Sequence, residues 1–308
     1  MRMMMSSGIP TLPSMVKPFA DTGRRNSITV ALAAGLLLGW GTLAVAQFSS
    51  GVNVVEVYAA VVDKNGTPVT GLARGDFTVL EDGTPQALSA FAEGDFPLSV
   101  ALGLDRSFSM AKLLPTELSA ARTFLGDLRP QDQSTLIAIG SEIETVAPLS
   151  NERTTQMRAL DALKPWGTTG LHDAILASIE AIQSAKGRRA LVLLSDGTDR
   201  YSTATAGDAL NGARKSDVMI YPVAIGSARP GLFPQLAALT GGRSFQTRDP
   251  GQLNAIAHQI AAELHHQYLL GYSPSKPIVG GANEWRSITV RVNRPDVTVR
   301  ARDGYVAR

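Results

Sequence analysis

Hydrophobic residues along this chain fall into two kinds of run. Residues 98–104 (LSVALGL), 134–140, 190–194 (ALVLL) and 218–225 (VMIYPVAI) are almost unbroken apolar stretches, the pattern of strands buried on both faces. Between the first two, residues 110–128 space Leu113, Leu114, Leu118, Ala121, Phe124, Leu125 and Leu128 at helical intervals, which predicts an amphipathic helix. Residues 154–163, 171–184, 206–215, 234–239 and 252–266 read as further helices, and 143–149 as the hairpin neighbour of 134–140. Strand and helix alternate, so the fold predicted for 97–267 is α/β, a doubly wound, mainly parallel sheet flanked by helices.

The flanks have a different texture. Residues 52–62 are β-branched and apolar, Asn65-Gly66 marks a turn, and 77–80 and 87–91 are short strand-like pieces around Glu81-Asp82-Gly83. Residues 268–272, 287–292 and 297–301 alternate like strands with one exposed face. An N-terminal β module over 51–93 and a C-terminal β segment over 268–308 are therefore expected. A module of that length is marginal alone, so the two ends are expected to pair as one small satellite sheet.

The first 46 residues predict export. Arg24 and Arg25 precede an uncharged apolar stretch over 27–46, which ends Ala44-Val45-Ala46 before Gln47, the small-x-small pattern cut by signal peptidase. The stretch is also close to the length that spans a bilayer. Residues 1–46 are expected to be either a cleaved signal peptide or a retained N-terminal membrane anchor. Both place the rest outside the cytoplasm, as a periplasmic, cell-surface or secreted protein.

Composition narrows the chemistry. The 308 residues contain no cysteine, which excludes disulfides, thiolate metal sites and a Cys nucleophile. A net charge of +2 with 6% aromatic residues gives no basis for a nucleic-acid partner.

One motif stands where chemistry is expected. Asp105-Arg106-Ser107-Phe108-Ser109 directly follows the first buried strand and precedes the first helix, and open parallel sheets bind ligands at the carboxyl ends of their strands. Asp196 ends the 190–194 strand in Ser195-Asp196-Gly197, and Thr168 and Thr169 sit in a Gly167–Gly170 loop just before a helix. Three loops thus bring small oxygen donors to one sheet edge. The set has no His or Cys, which suits Mg²⁺, Mn²⁺ or Ca²⁺ and disfavours zinc.

The pattern D-x-S-x-S, then Thr, then Asp resembles the von Willebrand factor A (VWFA) domain family with a metal-ion-dependent adhesion site. Asp105, Ser107, Ser109 and Asp196 match in order and context, and Thr169-Gly170-Leu171-His172-Asp173-Ala174 fits a family motif that selects Thr169 over Thr168. Val61 to Val69, Asp76 to Gly83, His266 to Tyr272 and Arg302 to Tyr305 are similar to an acidobacterial subgroup of VWFA-related proteins. Phe108, where Gly is common, and Arg106, a cation beside the acidic motif, depart from the family pattern. The resemblance implies a non-enzymatic module that holds one divalent cation, Mg²⁺ first, on Asp105, Ser107, Ser109, Thr169 and Asp196. It further implies that this cation grips a protein partner's Asp or Glu carboxylate. The alternatives are a structural scaffold with a vestigial site and a Mg²⁺-dependent phosphohydrolase built on Asp105. The latter lacks its second acid, because position 107 is Ser. His265-His266 is expected to be a surface pair pointing to different faces, and His172 to begin a helix.

Overall fold

The computed structural model describes residues 54–94, 96–278 and 283–308. The export or anchor segment of 1–46 lies outside them. No helix among the described residues is long and apolar enough to cross a membrane.

The chain opens with strands β1 (Val55–Asp63), β2 (Phe77–Glu81), β3 (Thr84–Gln86) and β4 (Leu88–Glu93). The central part then runs β5 (Leu98–Asp105), α1 (Leu114–Asp127), β6 (Gln133–Ile139), β7 (Ile143–Ser150), α2 (Arg153–Ala162) and α3 (Leu171–Ala181). It continues with β8 (Arg188–Ser195), α4 (Ala206–Lys215), β9 (Val218–Ile225), α5 (Leu232–Thr240), β10 (Phe245–Thr247) and α6 (Leu253–His265). The tail adds β11 (Gln267–Tyr272), β12 (Glu284–Val292), β13 (Val297–Arg300) and β14 (Gly304–Ala307).

The central sheet has the order β10-β9-β8-β5-β6-β7, parallel except for the β6–β7 hairpin. Every residue of β5 and β9 is buried, because helices cover both faces. One apolar cluster joins Val100, Leu102 and Leu104 to α1, α2 and α6 through Phe124, Leu160 and Ile260. The other joins Ala101, Leu191 and Leu193 to α3, α4 and α5 through Ile175, Ala213 and Leu236. This is the expected α/β arrangement. Strand order reverses between β5 and β8, since β5 leads to β6 on one side and β8 to β9 on the other. Open α/β sheets take ligands beside such a reversal, at the carboxyl ends of the two neighbouring strands.

The ends of the chain pair as expected but build two sheets, which corrects the single satellite sheet. One has the order β13-β1-β11-β4 and the other β14-β12-β2-β3. Val57, Ala59, Tyr268 and Leu270 from the first share a core with Phe77, Val79 and Ile288 from the second. A lone sheet leaves one of these apolar faces in water, and a sandwich covers both. β11 was expected to be half-exposed, yet it is buried except at Leu269. It lies between β1 and β4, and its Gln267 Nε2 donates to Tyr221 Oη of β9 at 3.3 Å. Inside the sandwich Arg286 pairs with Glu81 at 3.0 Å, and Glu81 also accepts from the Tyr272 and Tyr305 hydroxyls at 2.7 and 2.8 Å. His265 is likewise buried rather than at the surface, with Nε2 2.9 Å from Asp132 Oδ2, whereas His266 is exposed.

Candidate metal centre

Asp105 is the last residue of β5 and is fully buried. Its two carboxylate oxygens have separate partners. Oδ1 accepts the Ser107 amide at 3.0 Å, which turns the chain sharply after the strand, and Oδ2 accepts the Ser195 hydroxyl at 2.6 Å. Ser195 ends β8, so this bond ties the two strands at the reversal point. Ser107 and Ser109 stand with hydroxyl oxygens 3.0 Å apart, Ser107 buried and Ser109 exposed. The D-x-S-x-S turn thus directs one carboxylate and two hydroxyls to a common place.

The other two loops are fastened to this turn by main-chain hydrogen bonds. Trp166 N–H donates to Arg106 O at 2.6 Å and Phe108 N–H to Gly167 O at 3.0 Å. Arg200 and Tyr201 N–H both donate to Thr169 O, at 2.9 and 3.1 Å. Thr169 is buried and Thr168 exposed. Asp196 follows β8, its Oδ1 accepts the Thr198 amide at 2.8 Å, and its charge acts on Asp105. The structure therefore brings the loops of all five expected residues together. It links Asp105, Ser107 and Ser109 directly, and places Asp196 within electrostatic reach.

Three supporting residues escaped the sequence reading. Glu117 is fully buried on α1, where its Oε1 accepts the Asp105 amide at 2.8 Å and its Oε2 has no partner. Its position on the apolar stripe of Leu114, Leu118 and Ala121 was the available signal, because a carboxylate there cannot reach water. Ser195 was visible only as the neighbour of Asp196. Asp199 accepts the Leu171 and His172 amides at 2.8 and 3.3 Å, so it caps α3 from a different loop. Capping across loops leaves no local sequence signature. His172 begins α3 as expected, with Nδ1 3.1 Å from Ala204 O.

The electrostatics of the site are those of surplus negative charge. Burial raises the Asp105 carboxyl above its ordinary value; the hydrogen bonds from Ser107 and Ser195 oppose this, and the Asp196 charge reinforces it. Burial, followed by the Asp105 charge, lifts Glu117 well above its own ordinary value. Arg106, the cation nearest in sequence, is engaged elsewhere. Its Nη2 contacts Glu144 at 2.9 Å and its guanidinium lies 5.3 Å from the Trp166 ring centroid. Among the described residues no group of three or more His, Cys, Asp or Glu forms a cation site, so an ion here depends on hydroxyl oxygens. A small hard cation fits that donor set and offsets the buried negative charge.

A doubly wound sheet with an acidic, hydroxyl-rich turn at its reversal point defines the class. Residues 100–198 match the family model of the von Willebrand factor type A domain. Comparison with curated proteins returns no match. Among solved structures the chain is similar to a von Willebrand factor type A protein from Catenulispora acidiphila, at 16% identity and a TM-score of 0.48 over 83% of this chain and 64% of that one. It is also similar to conserved hypothetical protein BatB from Bacteroides thetaiotaomicron, at 16% identity and a TM-score of 0.46 over 54% of this chain and 98% of that one. A third is the vWF domain of the type V pili tip protein Mfa5 from Porphyromonas gingivalis, at 12% identity and a TM-score of 0.48 over 55% and 95%.

Proposed function

We propose that the chain is an extracytoplasmic, non-enzymatic protein-binding module that uses one divalent cation, Mg²⁺ in the first instance, to take an Asp or Glu carboxylate of a protein partner. Asp105, Ser107, Ser109, Thr169 and Asp196 are the residues assigned to hold it. The observation that carries the reading is the buried Asp105 carboxylate, within electrostatic reach of Asp196, on a turn whose Ser107 and Ser109 hydroxyl oxygens stand 3.0 Å apart. When bound there, the ion supplies a positive charge that neutral hydroxyl donors leave largely uncancelled, so an outside carboxylate is attracted.

The chain's own groups do the positioning. Asp105 fixes the turn through the Ser107 amide and the neighbouring strand through Ser195. Glu117 holds the Asp105 main chain from beneath. The loop bonds at Arg106, Gly167 and Thr169 keep the three loops in register, so little ordering is left for the moment of binding. Both Asp105 oxygens are engaged, an arrangement that suits a structural ligand better than the nucleophile a phosphohydrolase requires. Export is supported by the Arg24-Arg25 and 27–46 pattern.

The test is capture from an envelope extract with Mg²⁺ against EDTA, using the native chain and Asp105→Ala. The proposal expects capture that EDTA and the substitution both abolish while the variant stays folded. Capture that survives either one contradicts it.

A further inference from the structure

Among the described residues, four large hydrophobic side chains are exposed: Val54, Phe108, Trp166 and Tyr201. The three aromatics are 67%, 40% and 61% exposed, and each stands on a different one of the three loops around the candidate metal centre. Phe108 lies between Ser107 and Ser109, Trp166 three residues before Thr169, and Tyr201 five after Asp196. The loops are joined at these residues: Phe108 N–H donates to Gly167 O, Trp166 N–H to Arg106 O, and Tyr201 N–H to Thr169 O. The remaining aromatics of the described chain are buried or half-buried.

Exposed aromatic side chains held on a pinned backbone lose little freedom on contact and bury large area, so they act as anchors of interfaces. Charge on the same loops points to the kind of partner. Lys112, Lys164 and Arg200 are exposed there, and no carboxylate pairs with them among the described residues. Arg106, spent on Glu144, stiffens the crown instead by lying over Trp166.

We propose that Phe108, Trp166 and Tyr201 form an aromatic crown that selects an acidic peptide segment of a partner protein, one in which an aromatic or branched apolar side chain flanks the carboxylate. The ion takes the carboxylate, the crown takes the apolar neighbour, and the three cations favour further acidic residues. This rests on the metal-binding reading above and adds the specificity of the same site.

The experiment uses the full chain, Phe108→Ser and Tyr201→Ser. Magnesium uptake by each is measured by calorimetry. Each is then panned, in Mg²⁺, against a displayed peptide library with one fixed central Asp and random flanks. The expected result is equal Mg²⁺ uptake by all three, enrichment of aromatic or branched apolar residues within two positions of the Asp on the native chain, and about a tenfold or greater loss of affinity for those peptides in each variant. Intact Mg²⁺ uptake with polar flanks enriched, with nothing enriched, or with variants that bind the selected peptides as the native chain does overturns the crown and leaves the metal reading standing. Absence of Mg²⁺ uptake by the native chain overturns the metal reading and the crown with it.

Discussion

Replacing the buried carboxylate at the centre of the site while keeping its shape separates its structural role from its binding role. Asp105→Asn preserves the Oδ1 acceptor for the Ser107 amide, at 3.0 Å, and exchanges Oδ2, which now accepts from Ser195 at 2.6 Å, for an amide donor that the Ser195 oxygen can accept. It removes a charge that burial and Asp196 both oppose. Without metal the substitution should therefore stabilise the fold, by about 1–2 kcal/mol, or roughly 2–6 °C in Tm for a domain of this size. The effect has a definite pH sense. A carboxyl raised above its ordinary value of 3.8 binds its proton more tightly folded than unfolded. Native stability from this group is full below that value and falls as pH rises through the folded titration. The advantage of the variant should accordingly vanish near pH 4 and grow toward neutrality. With Mg²⁺ at a hundred times its dissociation constant, the native chain should gain about 2.7 kcal/mol and the variant almost nothing, which reverses their order. Thermal melts of both proteins over a pH series, with and without Mg²⁺, test this. A variant less stable than the native chain without metal at pH 7 would mean that the buried Asp105 carboxylate carries no such cost, and the same Mg²⁺ shift in both would mean that it does not hold the ion.

Three further substitutions follow from the same structure. Glu117→Gln keeps the acceptor for the Asp105 amide and removes a fully buried titratable group; without metal it should raise stability at neutral pH by about 1–2 kcal/mol, read by urea denaturation, with the gain shrinking as pH falls toward the ordinary carboxyl range. Arg286→Met strands Glu81 in the sandwich core, at a loss of about 3–5 kcal/mol, read by urea denaturation; the double variant Glu81→Leu/Arg286→Met should recover only part of it, because the Tyr272 and Tyr305 hydroxyls then lose their acceptor. Gly167→Ala puts a Cβ 2.7 Å from Ser141 Oγ at a φ of +74°, so it should lower stability by about 1–3 kcal/mol and weaken Mg²⁺ uptake measured by calorimetry, because Thr169 shares that loop.

The central domain was legible because its signals are local. α4 and β9 fall on the expected residues 206–215 and 218–225, since Thr205 caps the helix with its own hydroxyl and the strand is wholly apolar. β10 was missed because three residues, Phe245–Thr247, carry too little periodicity. The start of α1 was placed early, at 110, because the short 3₁₀ turn at Phe108–Met110 shares the helix's apolar spacing. The sandwich was harder to read for a different reason. Alternation along β2 and β12 shows that each has an inner face, but not whether those faces meet across one sheet or two. At the site, the oxygen donors were readable from motif spacing, whereas Glu117, Ser195 and Asp199 act across long sequence separations that only the folded chain brings together.

Carboxylate capture as proposed requires one divalent ion among Asp105, Ser107, Ser109, Thr169 and Asp196. Crystals of the protein soaked in Mn²⁺ at millimolar concentration, with data collected at the manganese absorption edge, address it directly. A single anomalous peak is expected within coordination distance of the Ser107 and Ser109 hydroxyls, absent from Asp105→Ala crystals. A native map without a peak at that place would contradict it.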